Sequence, residues 1–369
     1  METVAILGMT QPQLQTLFAD WGEPRYRAQQ LVRWIHGQGV IDFEQMTDLG
    51  KTLRQKLQAH ATITLPTIEQ ESHALDGTVK WLLKVDGGSA IEAVLIPEKE
   101  RTTLCVSSQV GCILNCSFCH TGKQGFQRNL TPAEIIGQLW IAQNALMTRP
   151  EDFVGIKPVT NVVFMGMGEP LLNYEAVKAA ITLMRDDVAY GLSKRRITLS
   201  TSGVVPTLYD FIEETDCALA VSLHAPTDEL RDVLVPINRK YPLAELLKAC
   251  RAYIAKDPRR HVTMEYVMLD GVNDTVAHAK ALVRILQGIP VKVNLIPFNP
   301  FEFAAYKRSN DIAINAFKEQ LLKAGVFCFV RKTRGDDMLG ACGQLAGRVQ
   351  DKTRRSIRFL ASQQASSAP

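Results

Sequence analysis

The sequence predicts an α/β protein built on a parallel β-sheet whose strands are joined by helices. From residue 131 onward, short apolar stretches alternate with helical patterns, which is typical of parallel strands with crossover helices. These stretches are almost continuously apolar, as expected for a sheet covered on both faces. Counting the stretch before the cysteine-rich loop, the pattern fits an open barrel of six or seven strands, although a doubly wound sheet would look similar. The later strands are predicted at 161–165, 196–200, 218–222, 263–268, 292–296 and 327–331.

Two smaller regions precede this core and one follows it. Residues 1–65 contain helical patterns at 11–20, 27–36 and 49–59, and predict a small helical accessory domain. Residues 66–104 alternate apolar and polar positions around Asp-Gly turns, and predict a β-hairpin extension. The predicted barrel core, which includes the loop that carries Cys342, spans residues 105–345. Residues 346–369 predict a basic helix and a disordered polar tail.

Composition excludes several classes of protein. The chain is 46% hydrophobic and 22% charged, which is ordinary for a globular protein with a sizeable core. No apolar run reaches the length of a membrane span and no signal segment begins the chain, so we expect a cytoplasmic protein without a membrane partner. In that compartment, eight cysteines are metal ligands or reactive thiols rather than a disulfide framework.

The net charge of +4 is concentrated near the end of the chain. From residue 331 onward there are eight Lys or Arg and three Asp. Local positive charge suits RNA phosphates, although a solvated helix face is the more ordinary explanation.

A cysteine-rich loop carries the strongest chemical signal. Cys112, Cys116 and Cys119 have the spacing C-x3-C-x2-C. Three thiolates on one tight loop can bind three irons of a four-iron cluster and leave the fourth iron open to a ligand. The alternative is a structural zinc, which takes four ligands and often uses two C-x2-C pairs. A second pair is missing here, although His120 could serve as the fourth ligand; the spacing therefore favours the cluster.

Polar residues and glycines follow several predicted strands, where active groups of α/β barrels gather. In GMGEP, Gly168 lets backbone approach a ligand and Glu169 offers a carboxylate for an ammonium group. An ordinary turn explains these residues equally well in isolation, and a hydrogen-bonded strand end explains His224. The other positions of this kind are Ser200, Ser222, Leu223 and Asn299.

The longer string LCVSSQVGCILNCSFC, with GMGEPLLN, LSTSG, SLHAP and RKTRGDDMLGACGQLAG, resembles a known family. It is similar to radical S-adenosylmethionine (SAM) enzymes, and in particular to the branch that methylates carbon 2 of adenine in 23S rRNA and tRNA. The resemblance extends from about residue 10 to residue 350. It implies a partial six-stranded parallel barrel and one [4Fe-4S] cluster on the three cysteines of the loop. It also implies SAM contacts at Gly168, Glu169, Ser200, Ser222, Leu223, His224 and Asn299.

Two further cysteines gain roles through the resemblance. Cys342 lies in a Gly-rich segment near basic residues that favour a thiolate. The resemblance implies that it accepts a methyl group from one SAM, and that a radical made from a second SAM then acts on the methylated cysteine. Cys105, which by pattern alone could be a buried structural cysteine, then attacks the sulfur of Cys342 and leaves a transient disulfide. Glu92 matches the family's proton acceptor, although a charge on the outer face of a strand is the simpler explanation.

The resemblance also implies partners and leaves two alternatives. The expected partners are 23S rRNA and tRNA, contacted in part by residues 1–65, and an external one-electron reductant such as a flavodoxin system; a monomer is expected. The first alternative is the related adenine-C8 methyltransferase, which shares the cluster and the paired cysteines. The second is a zinc-bearing RNA-binding module without catalysis, which gives no reason for GMGEP, SLHAP or Cys342.

Overall fold

The computed structural model describes residues 3–302, 304–335 and 338–355. Its strands are β1 (Val4–Ala5), β2 (Ala61–Thr62), β3 (Thr67–His73), β4 (Val79–Lys84), β5 (Ala90–Pro97), β6 (Thr102–Cys105), β7 (Gln109–Gly111), β8 (Phe126–Asn129), β9 (Asn161–Phe164), β10 (Ile197–Thr201), β11 (Ala218–Ser222), β12 (Val262–Met268), β13 (Val291–Pro297) and β14 (Phe327–Val330).

The α-helices connect and cover these strands. They are α1 (Gln11–Asp20), α2 (Tyr26–Val32), α3 (Lys51–His60), α4 (His120–Lys123), α5 (Pro132–Thr148), α6 (Tyr174–Arg185), α7 (Val205–Glu214), α8 (Asp228–Leu234), α9 (Leu243–Ala255), α10 (Val276–Ile285) and α11 (Asp311–Lys323). A π-helical turn continues α2 (Arg33–Gly37). Short 3-10 turns lie at Phe43–Gln45, Asp86–Gly88, Pro150–Phe153, Pro170–Asn173, Lys194–Arg196 and Pro236–Arg239.

The core is a parallel sheet that follows chain order. Strands β6 and β9 to β14 are neighbours in sequence order and all run parallel. A doubly wound sheet requires a reversal of strand order, and this run has none. The fold is therefore the predicted open α/β barrel. Its parallel part has seven strands in the described residues, because β14 adds an edge strand to the six that the resemblance implies.

An antiparallel extension continues the same sheet beyond β6. Strands β5, β4 and β3 pair in turn as antiparallel neighbours, which confirms the predicted β pattern. Strand β3, with the sequence TIEQESH, was not predicted because it is polar and mostly exposed. The pairing Val94↔Cys105 joins the extension directly to the first barrel strand.

The N-terminal helices form a small unit that packs against the barrel. Their predicted positions are confirmed to within two residues at most boundaries. Buried apolar residues such as Phe18 and Leu31 form the unit's core. The Trp140 indole on α5 donates to the carbonyl of Ile35 at 2.8 Å, which fixes the unit to the barrel.

The part of the chain that the structure describes ends in a segment that crosses the cysteine loop. We call the described residues 341–355 the C-terminal strap. Its Arg348 pairs with Ala90 in an isolated antiparallel bridge, and residues 346–354 form no helix. The rest of the predicted basic helix and tail, at 356–369, lies outside the described residues. None of the helices in the described parts of the chain has both the length and the apolarity needed to cross a bilayer.

Candidate functional site

A cleft of about 1010 Å³ opens at the C-terminal ends of the barrel strands. Its walls come from the cysteine loop, the strand ends and the strap, which are far apart in sequence. Most predicted site residues meet here: Cys112, Cys116, Cys119, Gly168, Glu169, Ser200, Ser222, His224, Asn299 and Cys342 line the cleft.

The cysteine loop is held by a two-stranded ribbon. Strands β7 and β8 pair antiparallel on either side of the loop, and the Cys112 amide donates to the carbonyl of Gly125 at 2.7 Å. The strap braces the loop from outside: the Thr121 hydroxyl donates to the carbonyl of Leu345 at 2.7 Å. The three thiols are thus presented on one wall of the cleft.

When no metal is bound, the surroundings of the three thiols disfavour their ionisation. Burial raises the pKa of all three thiols, to about 12 for Cys116, and repulsion from neighbouring thiolates of the loop adds to this effect at Cys112 and Cys116. Metal ligation removes this penalty, because the ligand is the thiolate and the metal supplies the compensating positive charge. Three half-buried cysteines that line one cleft fit a four-iron cluster with one open iron.

His120, the fourth ligand in the zinc alternative, is engaged elsewhere. Its ring stacks on Phe301 with centroids 4.8 Å apart and planes 2° apart, and it is not among the cleft-lining residues. Among the residues that the structure describes, no three His, Cys, Asp or Glu side chains are close enough to enclose a single metal ion.

The backbone of the GMGEP segment lies close to β7, one of the two strands that hold the cysteine loop. Gly168 has φ of +100°, and an added Cβ would lie 2.5 Å from Cβ and 2.8 Å from the main-chain nitrogen of Gln109. The carboxylate of Glu169 is buried and accepts from the amides of Ser202 at 2.8 Å and Leu171 at 3.2 Å. Burial raises the pKa of Glu169. A buried carboxyl group on a cleft wall suits a cationic group such as an α-ammonium.

His224 presents a neutral ring to the cleft. Its φ is +59°, a left-handed conformation that is unusual outside glycine and common at functional sites. The Val267 amide donates to Nδ1 at 3.0 Å, so the proton of the neutral ring is on Nε2. Burial, with Arg231 nearby, lowers the pKa of His224 to about 3. Its neighbour Leu223 is fully buried in the core and does not line the cleft.

Cys105 and Cys342 share a second cavity of about 460 Å³ that adjoins the cleft. Cys342 and Asn299 line both spaces, while Cys105 lines only the second. Burial, and then the charge of Cys342, raises the pKa of Cys105 to about 12. The Arg331 guanidinium lines both spaces together with Cys342, and attraction to the charge of a Cys342 thiolate raises the pKa of Arg331. The two thiols thus lie in mutual electrostatic contact beside one cation.

Glu92 is buried and faces the same side of the sheet as this cavity. In β5, Val94 and Ile96 line the cavity, and residues two apart in a strand share a face. The Glu92 carboxylate pairs with Lys80 at 3.1 Å and accepts from the Ala346 amide at 2.8 Å. The simpler explanation, an exposed charge on an outer face, is wrong. Glu92 nevertheless does not line either cavity.

Sequence reasoning missed two charged residues of the site. Glu265 lines the cleft from β12, and its carboxylate accepts from Asn294 at 2.8 Å; burial raises its pKa. The sequence offered one signal for Glu265, namely a glutamate inside the otherwise apolar strand VTMEYVM. Arg231, on α8, is completely buried behind the strand ends. Cys217, Cys250 and Cys328 are buried in the core.

Known proteins resemble the chain over almost its whole length. Residues 4–63 match the family described as ribosomal RNA large subunit methyltransferase N-terminal domain, and residues 106–282 match the radical SAM superfamily. The chain is 54% identical over 365 residues to the dual-specificity RNA methyltransferase RlmN of Marinobacter nauticus, covering 98% of both chains. It is 55% identical to the protein of the same name from Alcanivorax borkumensis, covering 98% of this chain and 95% of that one.

A solved structure has the same fold. The crystal structure of a radical SAM methyltransferase from Sphaerobacter thermophilus superimposes with a TM-score of 0.86 at 43% sequence identity. The match covers 93% of this chain and 99% of that one.

Proposed function

Because the chain belongs to the RlmN family of dual-specificity RNA methyltransferases, we propose that it methylates carbon 2 of an adenine in 23S rRNA and in certain tRNAs. Membership of the radical SAM superfamily implies a [4Fe-4S] cluster and SAM. The observation that supports this function best is that Cys105 and Cys342 line one cavity beside the three-cysteine cleft.

Cys112, Cys116 and Cys119 would hold the cluster, and the strand ends would hold SAM. When bound, the cluster supplies the electron that cleaves SAM to a carbon radical. Glu169 offers its buried carboxyl group to the ammonium group of SAM, as its position in the cleft allows. The Nε2–H of His224 would donate a hydrogen bond to another polar group of SAM. The hydroxyl groups of Ser200 and Ser222 and the amide group of Asn299 are further donors in the cleft. Leu223 can take part only through its backbone.

Cys342 would carry the methyl group in a reaction that uses two SAM molecules. Carbon 2 of adenine lies between two ring nitrogens and is electron-poor, so direct transfer of an electrophilic methyl group is unfavourable. The Cys342 sulfur instead attacks the methyl carbon of the first SAM, whose sulfonium bond breaks, and the thiol proton is released. Arg331 stabilises the attacking thiolate through its positive charge. The second SAM provides the radical that activates the resulting S-methyl group for addition to the base.

Cys105 would release the product. After the methyl carbon has bonded to the base, the Cys105 thiolate attacks the sulfur of Cys342 and a disulfide forms. The bond between that sulfur and carbon breaks with its electron pair passing to the carbon, which takes up a proton and becomes the methyl group of the product. Glu92 would accept the proton from carbon 2, which its position on the cavity face of β5 supports. An external reductant, such as a flavodoxin system, must then reduce the disulfide. The same reductant would supply the electrons for SAM cleavage.

RNA would approach as a partly opened structure, because an enzyme that reaches a base edge needs the base unpaired or flipped. We propose that the helical domain of residues 1–65 contacts the RNA and that the enzyme acts as a monomer. The hairpin extension at 66–104 and the barrel core at 105–345 then complete the catalytic unit, followed by the terminal segment at 346–369.

Product analysis tests this function directly. The purified enzyme, reconstituted without oxygen and given SAM, reductant and 23S rRNA or tRNA, should yield 2-methyladenosine after nuclease digestion and mass spectrometry. Recovery of 8-methyladenosine would instead establish the related C8 activity. A colourless protein with zinc but without iron and sulfide would establish the non-catalytic alternative.

A further inference from the structure

The loop of residues 339–346, which we call the thiol loop, is fastened to the antiparallel extension at both of its ends. At its start, Nζ of Lys80 on β4 donates to the carbonyl of Leu339 at 3.4 Å. At its end, the Ala346 amide donates to Oε2 of Glu92 on β5 at 2.8 Å. Two side chains of opposite charge on neighbouring strands therefore hold the two ends of one loop.

Strand register places these two side chains next to each other. In the antiparallel pair of β4 and β5, Lys80 is opposite Val94 and Glu92 is opposite Leu82. Lys80 and Glu92 are thus diagonal neighbours on one face of the sheet, a separation that a long side chain can span. Nζ of Lys80 lies 3.1 Å from Oε1 of Glu92, and the two side chains are only 15% and 7% exposed. Because little water reaches the ion pair, its attraction is only weakly screened.

The strap docks closely on β5 directly after the thiol loop. An added Cβ at Gly347 would overlap the carbonyl oxygen of Ala90, so the close approach requires a glycine. Arg348 then exchanges two main-chain hydrogen bonds with Ala90, both of 2.9 Å. Cys342 therefore lies between two points at which the chain is attached to the extension.

We propose that Lys80 is a positioning residue, which holds the thiol loop so that Cys342 stays within reach of Cys105. It acts through Glu92 and the Leu339 carbonyl. Without the ammonium group, the start of the loop is free and Glu92 loses the cation that orients it. Cys342 then samples more positions, and its effective concentration at Cys105 falls. This effect concerns the chain alone, whereas its consequence for RNA methylation, a slower release of the product by Cys105, rests on the proposed function.

The centre of the thiol loop is held separately, and its contacts are the competing explanation. The His120 amide donates to the carbonyl of Gly343 at 2.8 Å, and the side-chain amide of Gln344 donates to the carbonyl of Pro300 at 2.8 Å. If these bonds alone position the loop, loss of the ion pair should leave the reactivity of its thiol unchanged. If the ion pair positions the loop, its loss should be felt at that thiol.

Three variants separate the explanations. Lys80→Met removes the charge and keeps an unbranched side chain of similar length. Lys80→Arg keeps the charge and donors for both acceptors, so it should stay close to the wild type. Arg348→Met is the matched control, because it breaks the ion pair with Glu69, which also joins the strap to the extension. The Arg348 side chain is 61% exposed, and ion pairs of exposed side chains contribute little.

The first measurement is the equilibrium of the Cys105–Cys342 disulfide in the full-length protein. The protein is equilibrated without oxygen in glutathione redox buffers, and free thiols are then blocked with N-ethylmaleimide. Mass spectrometry counts the linked peptide relative to the peptide in which Cys342 is unmethylated. We expect Lys80→Met to make the disulfide about tenfold less favourable, the effect of losing one charge-assisted hydrogen bond, which corresponds to about 30 mV for a two-electron couple.

The other two variants make this result decisive. Lys80→Arg and Arg348→Met should both stay within about twofold of the wild-type equilibrium. An unchanged equilibrium in Lys80→Met, or an equal change in either of the other variants, overturns the proposal.

The second measurement follows turnover of the reconstituted holoprotein with SAM, reductant and RNA. We expect Lys80→Met to accumulate the covalent RNA–protein adduct at Cys342, because Cys105 resolves it more slowly. Its kcat should fall about tenfold while its KM for SAM stays near the wild-type value. Wild-type turnover of Lys80→Met without the adduct overturns the proposal. Should the wild type methylate no RNA, the proposed function fails, while the disulfide equilibrium still decides the role of Lys80.

Discussion

Cys105 ends the first parallel strand of the barrel and Cys342 follows the last, and the two line one cavity. The strap brings residues so far apart in sequence together, because it lies against both β5 and the cysteine loop. The Ala346 amide bonded to Glu92 and the Thr121 hydroxyl bonded to Leu345 hold the strap in this position. The chemistry that depends on both thiols therefore depends on the strap.

Replacing Cys105 should trap the enzyme on its substrate. In Cys105→Ala, the bond between the Cys342 sulfur and the product has no thiolate to break it, so a covalent RNA–protein adduct should accumulate during turnover. Gel electrophoresis and mass spectrometry of the crosslinked peptide should locate it at Cys342. The control Cys217→Ala removes a buried core cysteine and should form no adduct. Recovery of only free RNA from Cys105→Ala would contradict the resolving role.

Removing Arg331 should weaken Cys342 as a nucleophile. Arg331 lines the same cavity as Cys342 and its positive charge favours a thiolate there, so alkylation of Cys342 by iodoacetamide at pH 7 should slow about tenfold in Arg331→Met. The S-methylation of Cys342 by SAM should slow in parallel. Arg259→Met is the control, since Arg259 is exposed and pairs with Asp257. Equal alkylation rates of Cys342 in Arg331→Met and the wild type would refute the stabilising role.

A methyl group at Gly168 should distort the SAM site. The added Cβ would press on Gln109 in a backbone conformation that side chains avoid, so Gly168→Ala should cost more than the 1–3 kcal/mol typical of backbone strain alone. Gly191→Ala is the matched control, because Gly191 also has positive φ but meets nothing within 4 Å. Calorimetry should show weakened SAM binding only in Gly168→Ala, and urea unfolding should show the larger loss there. Equal losses in both variants would assign the effect to φ alone.

Acid should destabilise the protein through His36. Burial lowers the pKa of His36 to about 4 from 6.5, and its Nδ1 lies 3.1 Å from the hydroxyl of Tyr190. The unfolded chain therefore binds more protons between these values, so the stabilising contribution is complete above pH 6.5 and is lost as pH falls toward 4. The loss should be about 3 kcal/mol.

The His36 effect can be isolated by comparing slopes. The free energy of unfolding, measured by urea titration from pH 7 to pH 4, should fall less steeply in His36→Gln than in the wild type. His224 titrates in the same direction in both proteins and cancels in the comparison. Parallel slopes would show that His36 is not the group responsible.

Local patterns predicted much of the fold. Strands such as β11 and helices such as α1 were predicted within a residue, because apolar periodicity reports directly on burial. Strand β3 was missed because an edge strand in an extension needs little apolar surface. Glu265 and Arg231 were missed for a different reason. Their roles depend on what surrounds them in three dimensions, and a single charged residue in an apolar pattern does not reveal its partners.

The sequence by itself determined the cysteine loop, the strand-end motifs and the family to which the chain belongs, because these depend on residue types at short, regular spacing. Only the tertiary structure decided that Cys342, Cys105 and Arg331 line one cavity, that Glu92 is buried on the cavity face of β5, and that the buried Arg231 bonds to the carbonyls of Ser202 and Ser222. Contacts across a barrel are set by curvature, strand register and the course of the strap. Burial then decides which of the charged groups are shielded from water and so act strongly on one another.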